Sequence, residues 1–245
     1  MIHPILAVIN AFIRNHTRFL LMGGQACVLY GGSEFTRDSD FCILCNGENL
    51  SRIAAALREL QAQPVFFPPL EAQFLEKGHA CHFICKSSDA EGFRIDLMSK
   101  MRGCPPFNEM WQTRNLLRID SIEIPSLSLA HLILAKKTQR DKDWPMIRRL
   151  IENDYAARKD PSTEDIRLWL RECRSPGILI DMGTRFPDLM AAQLPARPLL
   201  RLALSAEEDQ LNDALIDEEK EERRNDREYW RPLKEELERM RHARS

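Results

Sequence analysis

Two aspartates, Asp38 and Asp40, stand one residue apart in the segment FTRDSDFCIL, at the start of an apolar run. The run has the composition of a buried β-strand, whose side chains alternate between two faces, so both carboxylates are predicted to point to the same side. Neighbouring carboxylates repel each other unless a cation lies between them, and Mg²⁺ prefers such oxygen ligands. The pair therefore predicts a divalent metal site. The alternative is a solvent-exposed turn at the entrance of a strand.

A glycine pair precedes the two aspartates. Gly23-Gly24 follows an apolar stretch, and 13 residues separate it from Asp38-Ser39-Asp40. This arrangement resembles the signature of the DNA-polymerase-beta-type nucleotidyltransferase superfamily: an apolar residue, a glycine pair, a spacer and two acids. Glycine at a strand-to-helix junction lets backbone N–H groups approach a triphosphate, helped by the positive end of the following helix. The resemblance implies that Gly23 and Gly24 bind an NTP, while Asp38 and Asp40 hold Mg²⁺ or Mn²⁺.

The same superfamily carries a third carboxylate on a neighbouring strand. Asp96 stands between two apolar residues in the expected order along the chain, and Asp120 is the rival. Asp96 is preferred because Asp120 leads directly into residues 121–137, which resemble the strand, proline and helix that follow the catalytic sheet. The resemblance implies that Asp96 completes the metal site and attracts the proton of the attacking hydroxyl. The alternative is a strand-end acid paired with Arg94 or Lys100.

The region after the sheet adds to the likeness. The segment LAHLILAKKTQRDKDWPMIRRLI resembles one found in AbiEii-type and MenT-type toxins and their uncharacterised bacterial relatives. On a helix, Lys136 and Arg140 share one face, from which both are expected to reach the nucleotide phosphates. The alternative is a helix whose cations form salt bridges with Asp141 and Asp143. The nucleotide-binding residues implied by the resemblance are Gly23, Gly24, Ser33, Arg37, Lys136, Lys137 and Arg140.

Two positions depart from the usual pattern of the superfamily. Ser39 replaces the apolar residue between the two acids, which a strand tolerates on its far face. Glu34 stands where many relatives carry an arginine, so a phosphate contact is either missing or supplied by Arg37. Both departures bear on substrate and activity more than on the fold.

Short apolar runs bounded by glycine and proline predict strands, and longer periodic runs predict helices. The predicted strands cover residues 18–22, 35–44, 79–86, 93–100 and 121–126, and the predicted helices cover residues 4–14, 25–32, 49–63, 126–139, 143–159, 162–174 and 207–245. The predicted fold class is α+β, a nucleotidyltransferase-type mixed sheet flanked by helices and followed by a helical C-terminal region. The predicted domains are a catalytic domain (1–125), a helical domain (126–205) and a charged helical segment (206–245).

The composition predicts a soluble cytoplasmic protein. Of 245 residues, 44% are hydrophobic, and no apolar run approaches the roughly 20 residues that a membrane helix needs, so no membrane partner is expected. The seven cysteines are expected to be reduced thiols. A net charge of −2 conceals basic residues in the middle third of the chain, which leave room for an RNA partner. These basic residues are Lys100, Arg102, Lys136, Lys137, Arg140, Lys142, Arg148 and Arg149.

Together these features predict a metal-dependent nucleotidyltransferase, which moves a nucleoside monophosphate from an NTP to a hydroxyl acceptor. A tRNA or other RNA end is the favoured acceptor, with a protein or a small molecule as alternatives. The likeness to bacterial toxins implies a toxin–antitoxin system, in which an antitoxin protein is a partner. The alternative function is that of a catalytically inactive binding or regulatory module, which holds a partner through its charged C-terminal helix.

Overall fold

A computed structural model of the chain describes residues 4–32 and 38–242. Its strands are β1 (Phe19–Met22), β2 (Asp38–Ile43), β3 (Gln63–Pro64), β4 (Cys81–Ile84), β5 (Arg94–Met98), β6 (Asn115–Ile119) and β7 (Ile122–Ser126). Its helices are α1 (Pro4–Arg14), α2 (Gly23–Leu29), α3 (Gly47–Glu59), α4 (Ala72–Leu75), α5 (Phe107–Gln112), α6 (Leu129–Lys136), α7 (Asp143–Ala157), α8 (Thr163–Glu172), α9 (Pro176–Arg185), α10 (Pro187–Gln193), α11 (Leu200–Leu204) and α12 (Glu208–His242).

The strands form one mixed sheet in the order β3-β4-β5-β2-β1-β7-β6. The pairs β2/β5 and β1/β7 are parallel, and the remaining neighbours are antiparallel. Helices flank the sheet and continue to the end of the described chain. The predicted α+β class with a mixed sheet and a helical C-terminal region is confirmed.

The core of the sheet lies on the face opposite the two aspartates. Phe12 of α1 packs against Phe19 of β1 and Phe41 of β2, with ring centroids 5.0–5.6 Å apart. All three rings are at most 1% exposed, and burying each one stabilises the fold by about 1.5–3 kcal/mol. Because Phe41 points into this core, the flanking Asp38 and Asp40 must point to the other face.

Asn49 of α3 joins the strands that carry the candidate site. Its side chain, 2% exposed, accepts a hydrogen bond from the Arg18 backbone N–H (2.7 Å) and donates to the Arg18 and Leu44 carbonyls (3.0 and 2.9 Å). One buried amide thus connects the residue before β1 with the residue after β2. Because these bonds satisfy buried polar groups, they fix the antiparallel β1/β2 pair against the helix.

The described chain forms two compact units. The first comprises residues 4–29, 38–135 and 229–242, and the second comprises residues 30–32 and 136–228. The bounds of these units differ from the predicted domain boundaries, which lie after residues 125 and 205. The predicted division concerns functional domains, and it stays a prediction.

The five predicted strands and the predicted helices are present, with differences at some ends. The strands β3 and β6 were not predicted because β3 has only two residues and β6 is largely exposed on the edge of the sheet. Helix α6 ends three residues earlier than expected, at Lys136. None of the helices in the two described ranges is both long enough and apolar enough to cross a membrane.

Candidate active site

Asp40 of β2 and Asp96 of β5 are register partners on two parallel strands. Neighbouring strands lie roughly 4.8 Å apart, so side chains at paired positions leave the sheet side by side on the same face. Both residues are half-buried, and the Asp96 side chain is 16% exposed. The two carboxylates predicted from separate segments are therefore neighbours in the fold.

Asp38 lies on the same face, two residues before Asp40. Its register partner across the β2/β5 ladder is Arg94, which brings a cation to the strand entrance. Ser39 between the two acids is fully buried on the far face of the strand, as predicted. Its hydroxyl oxygen has no hydrogen-bond partner among the described residues, so burying it costs free energy.

The first residue of the glycine pair packs against Asp40. Gly23 begins α2 directly after β1 and has a φ of +66°, a conformation that favours glycine. A Cβ atom at this position would lie 1.8 Å from Asp40 Oδ2. The backbone at the predicted strand-to-helix junction therefore approaches the carboxylate at a distance that only glycine permits.

His82 of β4 contacts Asp96 from the other side. The two residues are register partners, and His82 Nδ1 lies 2.7 Å from Asp96 Oδ1. Because an ionised carboxylate only accepts hydrogen bonds, Nδ1 is the donor in this pair. Arg94 Nη2 lies 3.8 Å from the same oxygen. The ion pair of Asp96 with Arg94, which was the alternative role of this acid, is therefore present at long range.

The sequence reasoning did not connect His82 with Asp96. The antiparallel register of β4 against β5 is what brings the two together, and no local pattern shows that register. One signal in the sequence could have indicated the side of the sheet on which His82 lies. Apolar and polar residues alternate along β4, where Cys81 and Phe83 are buried and His82 points to the opposite face.

The rival acid, Asp120, lies in the turn between β6 and β7 and has a φ of +52°. Strand β1 separates β7 from β2 in the sheet order. Asp120 is therefore not a neighbour of Asp40, whereas Asp96 is.

The three cations expected at the nucleotide phosphates lie in the second unit, where each contacts a carboxylate. Lys136 Nζ donates to Asp143 Oδ1 (3.1 Å), Arg140 Nε donates to Asp143 Oδ2 (2.8 Å), and Lys137 Nζ lies 2.6 Å from Glu172 Oε2. The lysine side chains are 8% and 12% exposed, and that of Arg140 is 54% exposed. The ion pairs that the salt-bridge alternative requires are therefore present. The phosphate-binding role of these residues stays a prediction.

The expectation that Lys136 and Arg140 share one helical face is wrong, because α6 ends at Lys136. Thr138 is the physical reason: its hydroxyl donates to Asp143 (2.6 Å) and accepts from the Arg140 backbone N–H (3.1 Å). Such side-chain bonds compete with the helical hydrogen-bond pattern. The two cations meet instead at one buried carboxylate, that of Asp143.

Asp143 is fully buried at the first position of α7. Burial by itself raises the pKa of its carboxyl, but Lys136, the hydrogen bond from Thr138 and Arg140 outweigh that effect. The pKa therefore lies below its ordinary value. The carboxylate is ionised in the folded protein and holds the segment between α6 and α7 in place.

Ser33 and Arg37, the two remaining predicted nucleotide contacts, lie outside the described residues. Glu34 lies there too. Gly24 occupies the second position of α2, as the predicted junction requires.

The donor chemistry of Asp38, Asp40 and Asp96 suits Mg²⁺ or Mn²⁺, because all three supply carboxylate oxygens. Within residues 4–32 and 38–242, however, no group of three or more His, Cys, Asp or Glu side chains is gathered in a way that could hold a metal ion. The three carboxylates are ligands of the type that such a cation prefers, and two of them, Asp40 and Asp96, are neighbours in the sheet.

The fold and the site together define an α+β protein with a carboxylate pair on one face of a mixed sheet. No protein-family model matches the chain, and no curated protein matches it. It is similar to a solved structure described as a "putative nucleotidyltransferase from H. pylori". The two sequences are 13% identical, the match covers 87% of this chain and 94% of that chain, and the TM-score is 0.43. At these values no residue role is transferred from that protein.

Proposed function

We propose that this protein is a metal-dependent nucleotidyltransferase, which moves a nucleoside monophosphate from an NTP to a hydroxyl acceptor. The observation that carries the proposal is the register pairing of Asp40 with Asp96, with the backbone of Gly23 against Asp40. Asp38, Asp40 and Asp96 are the residues that would hold Mg²⁺ or Mn²⁺. Such a cation, when bound, neutralises the negative charge of phosphates and carboxylates.

The residues of the chain have separate roles in this reaction. The glycine pair leaves backbone N–H groups near the carboxylates, where they can donate to a phosphate. Asp96 accepts the proton of the acceptor hydroxyl, whose oxygen forms a bond to the α-phosphorus. The bond from the α-phosphorus to the bridging oxygen breaks, and pyrophosphate leaves. His82 fixes the orientation of the Asp96 carboxylate by donating a hydrogen bond to Oδ1.

The favoured acceptor is the 3′ end of a tRNA or another RNA, and the exposed basic residues Lys100, Lys142 and Arg149 support an anionic partner. A protein or small-molecule hydroxyl remains an alternative acceptor. If the protein is a toxin, a separately encoded antitoxin is its partner. Expression of the protein should then stop bacterial growth, and expression of Asp40→Ala should not.

The direct test is to incubate the purified protein with labelled NTPs, Mg²⁺ or Mn²⁺ and total bacterial RNA. Label in the RNA that is lost in Asp38→Ala/Asp40→Ala supports the proposal. The matched control is Asp213→Ala/Asp217→Ala, which removes the same charge from exposed positions of α12. Absence of label from RNA, protein and small molecules in the wild type would overturn it.

A second candidate is a binding or regulatory module that has this fold without turnover. It is favoured by the contact of His82 with Asp96 Oδ1 and by the absence, among the described residues, of a gathered group of three metal donors. Calorimetric titration with Mn²⁺ and a non-hydrolysable NTP separates the two functions. An enzyme should lose the coupled binding of both ligands in Asp38→Ala/Asp40→Ala, whereas such a module should not respond to this change.

A further inference from the structure

An exposed aromatic ring lies beside the candidate catalytic carboxylate. Phe66 is 49% exposed, and the preceding Val65 is 39% exposed. The following residue, Phe67, instead packs against Phe74 with ring centroids 5.3 Å apart. Val65 and Phe66 therefore present two adjacent apolar side chains to solvent.

Contacts connect Phe66 with Asp96 through His82. The Phe66 and His82 rings lie edge to face with centroids 5.8 Å apart, and His82 Nδ1 lies 2.7 Å from Asp96 Oδ1. The backbone supports this arrangement, because the Val65 N–H donates to the His82 carbonyl (2.9 Å). The exposed ring is therefore held two contacts away from the proposed proton acceptor.

Arg94 adds a cation to the same place. Its Cζ atom lies 6.0 Å from the centre of the Phe66 ring, and its guanidinium lies 3.8 Å from Asp96. The Arg94 side chain is 38% exposed, so it can meet a ligand from solvent. An aromatic face and a guanidinium side by side match a nucleotide, which has a flat base and a phosphate.

We propose that Phe66 and Arg94 form the acceptor subsite, which takes the terminal nucleotide of a single-stranded RNA. The base stacks on Phe66, the phosphate contacts Arg94, and the terminal hydroxyl lies toward Asp96. Stacking accepts every base, so this subsite selects RNA ends without selecting their sequence. The inference rests on the proposed function for the role of the hydroxyl, but the binding of RNA can be measured without turnover.

The test is fluorescence anisotropy with a short labelled oligo(A) RNA, without NTP or divalent cation. Phe66→Ala should weaken binding roughly tenfold, and Phe66→Trp should retain it because the flat ring is kept. Arg94→Ala should also weaken binding, and it should lower the salt dependence by about one phosphate contact, which Phe66→Ala should not do. The different salt responses distinguish stacking from charge.

Controls come from the opposite edge of the sheet. Leu116→Ala removes an apolar side chain that is 54% exposed on β6, and Arg118→Ala removes an exposed arginine of the same strand. Both should bind oligo(A) as the wild type does. Because Phe66 is half exposed, its variants should fold, which thermal unfolding checks.

Three outcomes overturn the inference. The first is unchanged oligo(A) binding by Phe66→Ala, and the second is transfer of label to protein or a small molecule with no dependence on Phe66. The third is transfer to RNA that Phe66→Ala leaves unchanged, and the proposed function then stands. Binding that requires Phe66, in a wild type that transfers no label, supports the RNA surface and overturns the proposed function.

Discussion

Asp40 and Asp96 are register partners on the parallel strands β2 and β5, so two carboxylates leave the sheet next to each other. Ionised neighbours of this kind repel each other, and proteins rarely keep such a pair without a use for it. The pairing also places Asp96, which the sequence favoured over Asp120, beside the DSD segment.

Replacing Asp96 with asparagine should abolish nucleotidyl transfer, with a loss of about 10²–10⁴-fold in kcat, because the amide cannot accept the hydroxyl proton. Transfer of labelled NTP to RNA measures this loss. Asp120→Asn is the matched control, since the same change in the β6–β7 turn should leave transfer unchanged. Equal losses in both variants would contradict the assignment of Asp96.

Gly23→Ala should abolish transfer and lower the free energy of unfolding by about 1–3 kcal/mol. The added Cβ would lie 1.8 Å from Asp40 Oδ2 and must displace that carboxylate. Gly103→Ala is the control: its φ is +75°, and a Cβ there meets nothing within 4 Å. Both variants place alanine at a positive φ, so both should lose some stability. Only Gly23→Ala should lose more activity than its loss of stability accounts for.

Asp143→Asn should lower the free energy of unfolding by about 3–5 kcal/mol, because it leaves the Lys136 ammonium buried without its counter-ion. Urea unfolding measures the loss. Lys136→Met/Asp143→Asn should recover part of it, since no lysine charge then remains buried. If Asp143→Asn is as stable as the wild type, the ion pair does not hold this segment.

The same carboxylate predicts a pH dependence of stability. The folded-state pKa of Asp143 lies below its ordinary value of 3.8, so the ionised group stabilises the fold above that value. This contribution should disappear as the pH falls from about 4 through the lower folded pKa. Unfolding followed from pH 7 to pH 2 should show a shallower acid loss in Asp143→Asn than in the wild type.

Ser39→Ala should raise the free energy of unfolding by up to about 1 kcal/mol and leave transfer unchanged. The Ser39 hydroxyl is fully buried, and among the described residues it has no hydrogen-bond partner. Removing the hydroxyl removes the free-energy cost of burying a polar group without a hydrogen bond. The change leaves the opposite face of β2, which carries Asp38 and Asp40, unaltered. A destabilised variant would show that the hydroxyl is satisfied.

Much of the fold followed from local patterns in the sequence. Period-two alternation placed Asp38 and Asp40 on one face and Ser39 on the other, and the structure confirms both. Helical spacing predicted α1, whose buried residues include Phe12. These features depend on neighbours along the chain, which a sequence displays directly.

The other features depend on contacts that no regular spacing in the sequence displays. The contact of His82 with Asp96 requires the register of β4 against β5. The end of α6 depends on the bond of Thr138 to Asp143, which does not follow the helical repeat. Lys137 contacts Glu172, which lies at the end of α8. The charge spacing indicated Asp143 as an alternative partner of Lys136 and Arg140, but it gave no sign of Glu172.

The first unit is discontinuous, since residues 229–242 belong to it together with the sheet. Glu236 forms an ion pair with Lys77, 159 positions earlier, and lies 3.4 Å from His79 in the same loop before β4. A ribosome makes the loop before β4 long before it makes residue 236. During the synthesis of the residues between them, Lys77 and His79 therefore lack the Glu236 carboxylate that they contact in the folded chain.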